Sequence, residues 1–357
     1  FYKNQSTMKN MTIFLKSFGY LDECNGFVFV ENECLMGRGL KGADPMEDLC
    51  HRICDNENPK EFVPDYDRLR RIIKGIYARE IAFRPLDIPD LEDHIGSSPV
   101  WCKKGAHHHP FFKHYPDRFE FVSSVGSKRI LKVPPCVFIN QARKLENGKT
   151  RYIYNCDTIS YLRFDYLLHP IESMWCNHNC ILNSDVKNAA WLSKQKYDVY
   201  SALDFEDFNS QHSIQSQKIV FEELAPFLPQ RAIDNLRWCV DSFDNMQCSG
   251  EHWSSTMPSG HRGTNFINTV LNRAYVEYFF GEINGIHCGD DVLILGRLIT
   301  EEELDNAKFK LQKKKQSFGG VSEWLRVKKE KSRSYGYIAR SLSSLVSGNW
   351  LSDCFRD

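Results

Sequence analysis

The sequence lacks several features that mark special classes of protein. No apolar run approaches the roughly 18 residues that a membrane-spanning helix needs, and we expect no membrane partner. Lys plus Arg and Asp plus Glu are equal at 46 each, so the global charge indicates no polyanionic partner. Internal repeats and low-complexity linkers are also missing. The 42% hydrophobic and 26% charged residues are typical of a globular protein, and 357 residues suffice for two or three subdomains.

The cysteines and the chain ends also carry information. The 13 cysteines follow no regular spacing, and we expect no signal peptide. We therefore expect free thiols in a reducing compartment rather than a disulfide framework. The chain begins at Phe1 without an initiator Met and ends at Asp357. These ends predict a segment of a larger polyprotein or fusion.

Apolar spacing and turn residues predict the main elements. We expect a helix over 64–80, a loop over Gly96–Pro116, and a strand pair around Asn147-Gly148. Further along we expect a buried strand over 197–205 and helical structure over 217–245 that is interrupted at Pro226 and Pro229. We also expect a flexible loop over Gly260–Gly263 that leads into a helix to about Phe280, and short strands with a turn over 321–340.

The tripeptide Gly289-Asp290-Asp291 stands between two apolar runs, which predicts a strand, a tight turn and a second strand. Adjacent carboxylates at such a tip suit hard divalent cations. The predicted strand over 197–205 ends in Asp204, which can supply a carboxylate from a neighbouring strand. Two such groups can hold two metal ions for an in-line phosphoryl transfer. By themselves, both segments also fit acidic turns in solvent.

Two further segments carry polar groups at informative spacings. Thr264 and Asn268 follow Ser259-Gly260 and share one helix face, where a hydroxyl and an amide can read a ribose hydroxyl. Glycines in that loop predict flexibility or a close approach to a ligand. In the hairpin after Arg143, Lys149 and Arg151 lie on one side of a strand and suit a triphosphate. An exposed basic hairpin is the alternative.

With the run Lys313–Val327, which includes Glu323-Trp324-Leu325-Arg326, these segments follow the order of motifs F, A, B, C, D and E. The sequence therefore resembles viral RNA-dependent RNA polymerases. Three stretches are most similar to the polymerase sequences of totiviruses and related double-stranded RNA viruses. They read Lys-Leu-Glu-Asn-Gly-Lys-Thr-Arg, Asp-Phe-Asn-Ser-Gln-His and Ser-Gly-His-Arg-Gly-Thr-Asn-Phe-Ile-Asn-Thr-Val-Leu-Asn.

The resemblance implies an α/β (α+β) right-hand polymerase with an antiparallel-sheet palm, fingers and only the start of a thumb. Its implied parts are fingers over 1–196 with an NTP-binding hairpin at 141–153, a palm strand over 197–211, a helical insertion over 212–256, palm over 257–334, and the start of the thumb over 335–357. Too few residues follow Val327 for a full thumb.

The resemblance also implies roles for individual residues. Asp204 and Asp290, supported by Asp291, would bind two Mg²⁺ ions, with Mn²⁺ as the alternative. Lys315 would be the general acid, with Lys313 and Lys314 as competitors. The NTP and its ribose would contact Lys149, Arg151, Asp207, Asn209, Ser259, Gly260, Thr264 and Asn268. RNA would contact Lys144, Glu323 and Arg326.

The implied activity is template-directed RNA synthesis from NTPs, to replicate and transcribe a double-stranded RNA genome. The implied partners are RNA template and product, NTPs and a viral capsid protein, in the virion interior or the host cytoplasm. One departure concerns the sugar: many viral polymerases carry a second Asp five residues after the first, and here that position is Asn209, with Asp207 as the spare acid.

Three alternatives remain open at this stage. A reverse transcriptase is disfavoured by Asn209 and Asn268, because enzymes that use deoxynucleotides tend to block the 2′ position with a bulky side chain. A non-catalytic RNA-binding or packaging domain is disfavoured by the intact aspartates. A Mg²⁺ phosphatase or nuclease would not need the Ser-Gly loop and the helix after it.

Overall fold

The computed structural model describes residues 5–17, 31, 42, 44–54, 62–82, 88–101, 109–146, 149–182, 194, 196–253, 256–312, 316–325, 327–330 and 333–347. Its helices are α1 (Gln5–Ser17), α2 (Pro45–Cys54), α3 (Tyr66–Glu80), α4 (Leu91–Trp101), α5 (Arg118–Val125), α6 (Ser127–Ile130), α7 (Thr158–Ser173), α8 (Ile214–Glu222), α9 (Ile233–Ser242), α10 (Thr264–Phe280), α11 (Glu301–Asn306) and α12 (Ile338–Ser347).

The strands are β1 (Val137–Glu146), β2 (Lys149–Cys156), β3 (Tyr200–Leu203), β4 (Met246–Cys248), β5 (Glu251–His252), β6 (Gly285–Cys288), β7 (Asp291–Leu295), β8 (Ser317–Gly319), β9 (Val321–Trp324), β10 (Val327–Glu330) and β11 (Arg333–Tyr335). None of the described helices is long and apolar enough to cross a bilayer.

Four antiparallel strands form the central sheet, in the order β6-β7-β3-β8. The strand β7 is buried on both faces: Val292 and Ile294 belong to the main core, whereas Leu293 and Leu295 belong to a smaller core with Trp324. Because side chains alternate along a strand, a strand covered on both faces needs an unbroken apolar run. The apolar residues after the Gly-Asp-Asp tripeptide meet this need.

The helix α10 packs against β6 and against α3, and it is buried along most of its length. Four polar side chains are buried among its apolar residues: Asn268, Thr269, Asn272 and Arg273. A buried polar group costs free energy unless it forms hydrogen bonds. These side chains are therefore expected to form hydrogen bonds with the elements around α10, and they do so.

The predicted basic hairpin is confirmed. β1 and β2 pair from Ile139↔Cys156 to Glu146↔Lys149, and the predicted turn residues Asn147 and Gly148 lie outside the described residues. β4 adds to β1 in parallel, and β5 follows β4. The hairpin is thus the edge of a second sheet rather than an isolated arm.

Several predicted elements are confirmed with altered bounds. The predicted strand over 197–205 is reduced to β3, and the predicted helix over 64–80 becomes α3. Asp65 caps α3 by accepting a hydrogen bond from the Arg68 N–H at 3.0 Å. The predicted helical region over 217–245 consists of α8, α9 and short 3₁₀ turns, two of them beside Pro226 and Pro229.

The prediction of a loop over Gly96–Pro116 is wrong in its first part, because α4 runs through Gly96 and Pro99. Ile95 is fully buried, and α4 packs against α5 and α7. This packing outweighs the poor helix propensity of glycine and proline. Residues 102–108 lie outside the described part of the chain.

Candidate active site

The carboxylates predicted to be catalytic leave the central sheet at one edge. Leu203, the last residue of β3, pairs with Val292. The next residue on the first strand is Asp204, and the preceding residue on the antiparallel partner is Asp291. The tertiary structure therefore brings together two segments that are far apart in the sequence.

A two-residue turn presents Asp290 at the same edge. Cys288 pairs with Asp291 across the turn, and Gly289 has a φ of 60°. A positive φ at the first loop position is the pattern of a type II′ hairpin turn, which favours glycine there. Asp290 and Asp291 are exposed, whereas Asp204 is half-buried.

These aspartates provide the oxygen ligands that Mg²⁺ and Mn²⁺ prefer. Within the described residues, no three acidic, histidine or cysteine side chains are grouped as a ready-made metal site. Mg²⁺ in phosphoryl-transfer sites usually keeps waters and is bound by one or two carboxylates together with substrate phosphates. The donor set at this edge therefore fits a site that the substrate completes.

Side chains of α10 form hydrogen bonds to the backbone of the Gly-Asp-Asp turn. Thr269 Oγ1 accepts a hydrogen bond from the Gly289 N–H at 2.8 Å. Asn272 Nδ2 donates to the carbonyl oxygens of Gly289 at 3.1 Å and Asp291 at 3.2 Å. Three bonds from one helix thus fix the backbone on both sides of Asp290.

A buried histidine supports Asn272 in turn. Burial, and then the charge of Arg273, lowers the pKa of His287 well below its ordinary value, so the ring is neutral. His287 Nδ1 lies 2.8 Å from Asn272 Oδ1, and Nε2 lies 3.4 Å from Arg273 Nη1. Because the Asn272 oxygen can only accept, Nδ1 carries the proton and Nε2 faces the guanidinium.

Asp204 is held on its other side by a glutamine. Gln316 Oε1 accepts a hydrogen bond from the Asp204 N–H at 3.2 Å, and Gln316 Nε2 donates to the Asp204 carbonyl oxygen at 2.9 Å. The side-chain amide takes the place of a strand partner where β3 ends. The general-acid candidates Lys313, Lys314 and Lys315 lie outside the described residues.

Two of the residues predicted to read the ribose, Asn209 and Asn268, lie in one chain of hydrogen bonds. Asn268 Nδ2 donates to Asn209 Oδ1 at 2.7 Å, and Asn268 Oδ1 lies 3.0 Å from His212 Nε2. His212 is fully buried, and its ring packs against those of Phe208 and Tyr275. The helix thus brings Asn268 to the segment that follows Asp204 in the chain.

The loop before α10 is joined to the basic hairpin. Ser259 Oγ accepts a hydrogen bond from the Tyr154 N–H at 3.1 Å, and the Gly260 N–H donates to the Tyr154 carbonyl oxygen at 2.9 Å. A Cβ on Gly260 would lie 2.5 Å from Asn155 Oδ1. Glycine is therefore needed here for a close approach to β2. Thr264 Oγ1 bonds to the carbonyl oxygens of Pro258 and His261, so its hydroxyl stabilises the loop.

An arginine ties the same loop to α7. Arg262 contacts both oxygens of Glu172, at 2.9 and 2.8 Å, and Asp165 Oδ1 at 2.6 Å. Burial by itself would lower the pKa of Arg262, but the two carboxylates reverse this and raise it. Next to it, burial and the Arg262 charge lower the pKa of His261 to about 3. The neutral His261 ring accepts the Gly263 N–H at 2.9 Å. These bonds anchor the loop to α7 and to its own backbone.

Asp207, the spare acid, has a partner far away in the sequence. Arg52 Nη1 lies 2.9 and 2.8 Å from its two carboxylate oxygens. Asp207 also has a φ of 41°, a left-handed conformation that aspartate tolerates better than most residues. Its carboxylate therefore links α2 to the segment after β3.

The basic hairpin presents Lys144 opposite Arg151 in the register. Glu146 lies 3.1 Å from the Lys144 ammonium and 3.2 Å from the Arg151 guanidinium. More than half of each basic side chain is exposed, at 55% and 59%. A triphosphate would compete with Glu146 for these two cations. Only the backbone of Lys149 is described.

Of the residues predicted to contact RNA near motif E, one is placed by the structure. Glu323 lies on β9 and accepts a hydrogen bond from the Tyr337 hydroxyl at 2.8 Å. Arg326 lies outside the described residues. The sheet β9-β10-β11 is antiparallel and leads into α12.

Sequence reasoning missed the residues that position the site: Thr269, Asn272, His212, His287 and Gln316. The sequence does contain a signal for Thr269 and Asn272: polar residues recur inside the apolar helix α10, which predicts buried hydrogen bonds. No sequence pattern predicts the role of Gln316, because its partner depends on which strand lies beside it.

The sequence matches the model of a protein family described as "Viral RNA-directed RNA-polymerase" over residues 2–350. Among curated proteins, it is similar to the "Probable RNA-directed RNA polymerase" of Leishmania RNA virus 1 - 1, with 33% identity over 94% of this chain and 43% of that protein. The protein of the same name from Helminthosporium victoriae virus-190S is 29% identical over 96% of this chain and 45% of that protein. The chain thus spans less than half the length of these relatives.

The fold is similar to that of a solved structure, an insertion-loop deletion mutant of the RNA-dependent RNA polymerase of a human picorbirnavirus. The TM-score is 0.67, with 16% identity, over 97% of this chain and 77% of that chain. This likeness confirms the expected polymerase fold. Since the family match covers nearly the whole sequence, this chain belongs to the viral RNA-directed RNA polymerase family.

Proposed function

We propose that this chain, as part of a longer polymerase, transfers nucleotides from NTPs to the 3′ end of an RNA on an RNA template. The observation that carries the proposal is the meeting of Asp204 and Asp290-Asp291 at one edge of an antiparallel sheet. The helix that fixes the Gly-Asp-Asp turn also carries Asn268, which bonds to Asn209. The turn that would bind metal and the amide that would contact the sugar are therefore both held by α10.

Asp204 and Asp290, with Asp291 in support, would hold two Mg²⁺ ions or Mn²⁺ in their place. Such a pair, when bound, stabilises the attacking and leaving oxygens of an in-line displacement. The chain itself contributes hydrogen bonds that hold the backbone next to these carboxylates. Gln316 holds the Asp204 backbone, and Asn272 holds the turn that carries Asp290.

The NTP would be bound by the basic hairpin and by the Asn pair. Lys149 and Arg151 would bind the triphosphate, because paired cations on one hairpin face suit phosphate oxygens. Asn209 and Asn268 would contact the ribose 2′-hydroxyl. Ser259, Gly260 and Thr264 would act on the ribose indirectly, by keeping the loop before α10 against β2.

The remaining roles and partners follow from the same proposal of RNA synthesis. Lys315 would protonate the pyrophosphate leaving group, and Lys144, Glu323 and Arg326 would contact RNA. Template and product RNA are then obligatory partners, and a viral capsid protein is the proposed assembly partner. The reaction would take place in the virion interior or the host cytoplasm, on a double-stranded RNA genome.

The proposal is tested by incorporation of labelled NTPs on a single-stranded RNA template with Mg²⁺. We expect Asp290→Asn and Asp204→Asn each to lower synthesis by at least about 10³-fold, since each removes a metal ligand. RNA affinity and unfolding temperature should stay near those of the parent chain. Asp305→Asn, the same change at an exposed position of α11, is the matched control and should retain full activity.

Full activity of Asp290→Asn would contradict the metal assignment. Incorporation of dNTPs instead of NTPs would indicate a reverse transcriptase. RNA binding without Mg²⁺-dependent synthesis, in this chain and in a longer one, would indicate a binding or packaging module.

A further inference from the structure

His212 contacts one of the proposed sugar-reading residues, Asn268, but no role has yet been assigned to it. Its Nε2 lies 3.0 Å from Asn268 Oδ1, and the amide of Asn268 in turn donates to Asn209 Oδ1 at 2.7 Å. The imidazole is fully buried. The rings of Phe208 and Tyr275 lie 4.4 and 5.7 Å from its ring centroid and fix its orientation.

The direction of this hydrogen-bond chain is set at its buried end. An amide has one accepting oxygen and one donating NH₂ group, so each asparagine passes on the polarity that it receives. When His212 Nε2 carries the proton, Asn268 must turn its oxygen to the ring and its NH₂ group to Asn209. Asn209 then uses its oxygen inward and turns its own NH₂ group outward.

Asn209 is only half-buried. Among the described residues, none accepts a hydrogen bond from its Nδ2. The outward group is therefore a donor that is available to a ligand. With the opposite tautomer of His212, both amides would flip and Asn209 would present an oxygen instead.

We propose that His212 is a positioning residue for ribose selection: its Nε2–H orients the Asn268 amide so that Asn209 donates to the 2′-hydroxyl oxygen of the incoming nucleotide. The inference rests on the proposed NTP site. His212 itself touches no substrate, and it acts through two amides that would otherwise be free to rotate.

Two variants separate this role from simple packing. In His212→Gln, a side-chain N–H can occupy roughly the place of Nε2–H. In His212→Leu, the cavity stays filled but no donor remains. The measurement is kcat/KM for ATP and for dATP on a uridine-containing RNA template, together with the equilibrium Kd of both nucleotides in the presence of template RNA and Ca²⁺.

We expect His212→Leu to lower the preference for ATP over dATP about tenfold, the effect of one oriented hydrogen bond. For dATP, kcat/KM and Kd should each change less than about twofold, which is a smaller change than the loss of one hydrogen bond would cause. His212→Gln should keep most of the preference. In an Asn209→Ala background, His212→Leu should cause no further loss, because both changes remove the same contact.

Equal losses for ATP and dATP in His212→Leu would overturn the inference, since they would show only a packing role. Additive losses in the double variant would overturn it too. Should the parent chain make no RNA, the proposed polymerase activity fails, but the Kd values still decide. A binding preference for ATP that His212→Leu removes and His212→Gln keeps would support the role of His212, and equal affinities in all variants would overturn it.

Discussion

Arg52 contacts both carboxylate oxygens of Asp207 through one guanidinium nitrogen, at 2.9 and 2.8 Å. The contact joins α2 to the segment that follows Asp204, across 155 residues of sequence. This ion pair gives Asp207, the spare acid of this segment, a partner within the folded chain. Its carboxylate is bonded within the protein, while Asn209 is the residue that we propose to contact the sugar.

We predict that Asp207→Asn keeps both RNA synthesis and the preference for NTPs over dNTPs. The two side chains are 23% and 36% exposed, so losing this ion pair should lower the free energy of unfolding by no more than about 1 kcal/mol. Urea unfolding and the NTP/dNTP ratio measure the two effects. A collapse of the ratio would instead assign Asp207 to the sugar.

We predict that Asn272→Ala lowers the free energy of unfolding by about 2–3 kcal/mol and reduces synthesis more than RNA binding. The change leaves the carbonyl oxygens of Gly289 and Asp291 and the His287 N–H without their buried partner. The same substitution at the exposed Asn265 of α10 is the control for helix stability. Similar unfolding curves for the two variants would show that the turn does not depend on this amide.

Stability should fall as the pH drops below about 6.5, because His261 and His287 are neutral in the fold. The folded pKa of His261 is about 3, against an ordinary 6.5, and that of His287 is also well lowered. Between these values the unfolded chain binds more protons, so each histidine removes up to about 1.4 kcal/mol of stability per pH unit.

Urea unfolding at pH 7.5 and at pH 5.5 measures this loss. In His261→Asn, an amide oxygen can still accept the Gly263 N–H, and the variant should show a smaller loss between the two conditions. An unchanged loss would mean that His261 is not the titrating group.

We predict that Gly260→Ala lowers the free energy of unfolding by about 1–3 kcal/mol, the usual cost of overpacking. The added Cβ would lie 2.5 Å from Asn155 Oδ1 and 2.9 Å from the Tyr154 carbonyl oxygen, and so would push the loop away from β2. Gly96→Ala on α4, where nothing lies within 4 Å, is the matched control and should be neutral or stabilising. Equal stability of the two variants would contradict the close approach.

Much of the fold follows from local chemistry. The Gly-Asp-Asp turn, the basic hairpin and the helix after the Ser-Gly loop were predicted, because turn residues and apolar spacing act over a few neighbouring residues. The loop predicted over Gly96–Pro116 failed at α4, where burial of Ile95 outweighs propensity. The flexibility predicted for the loop before α10 stays a prediction, whereas the structure shows Gly260 packed against β2 and Arg262 bonded to α7.

The sequence by itself determined the chemistry: which residues are carboxylates, amides and cations, and in what order the motifs occur. Only the tertiary structure decided which of them meet. His212 finds Asn268 across 56 residues, and Gln316 finds Asp204 across 112. Such pairs depend on strand register and on the rotation of α10 against the sheet. Both are settled by the packing of the whole core, which no short stretch of sequence contains.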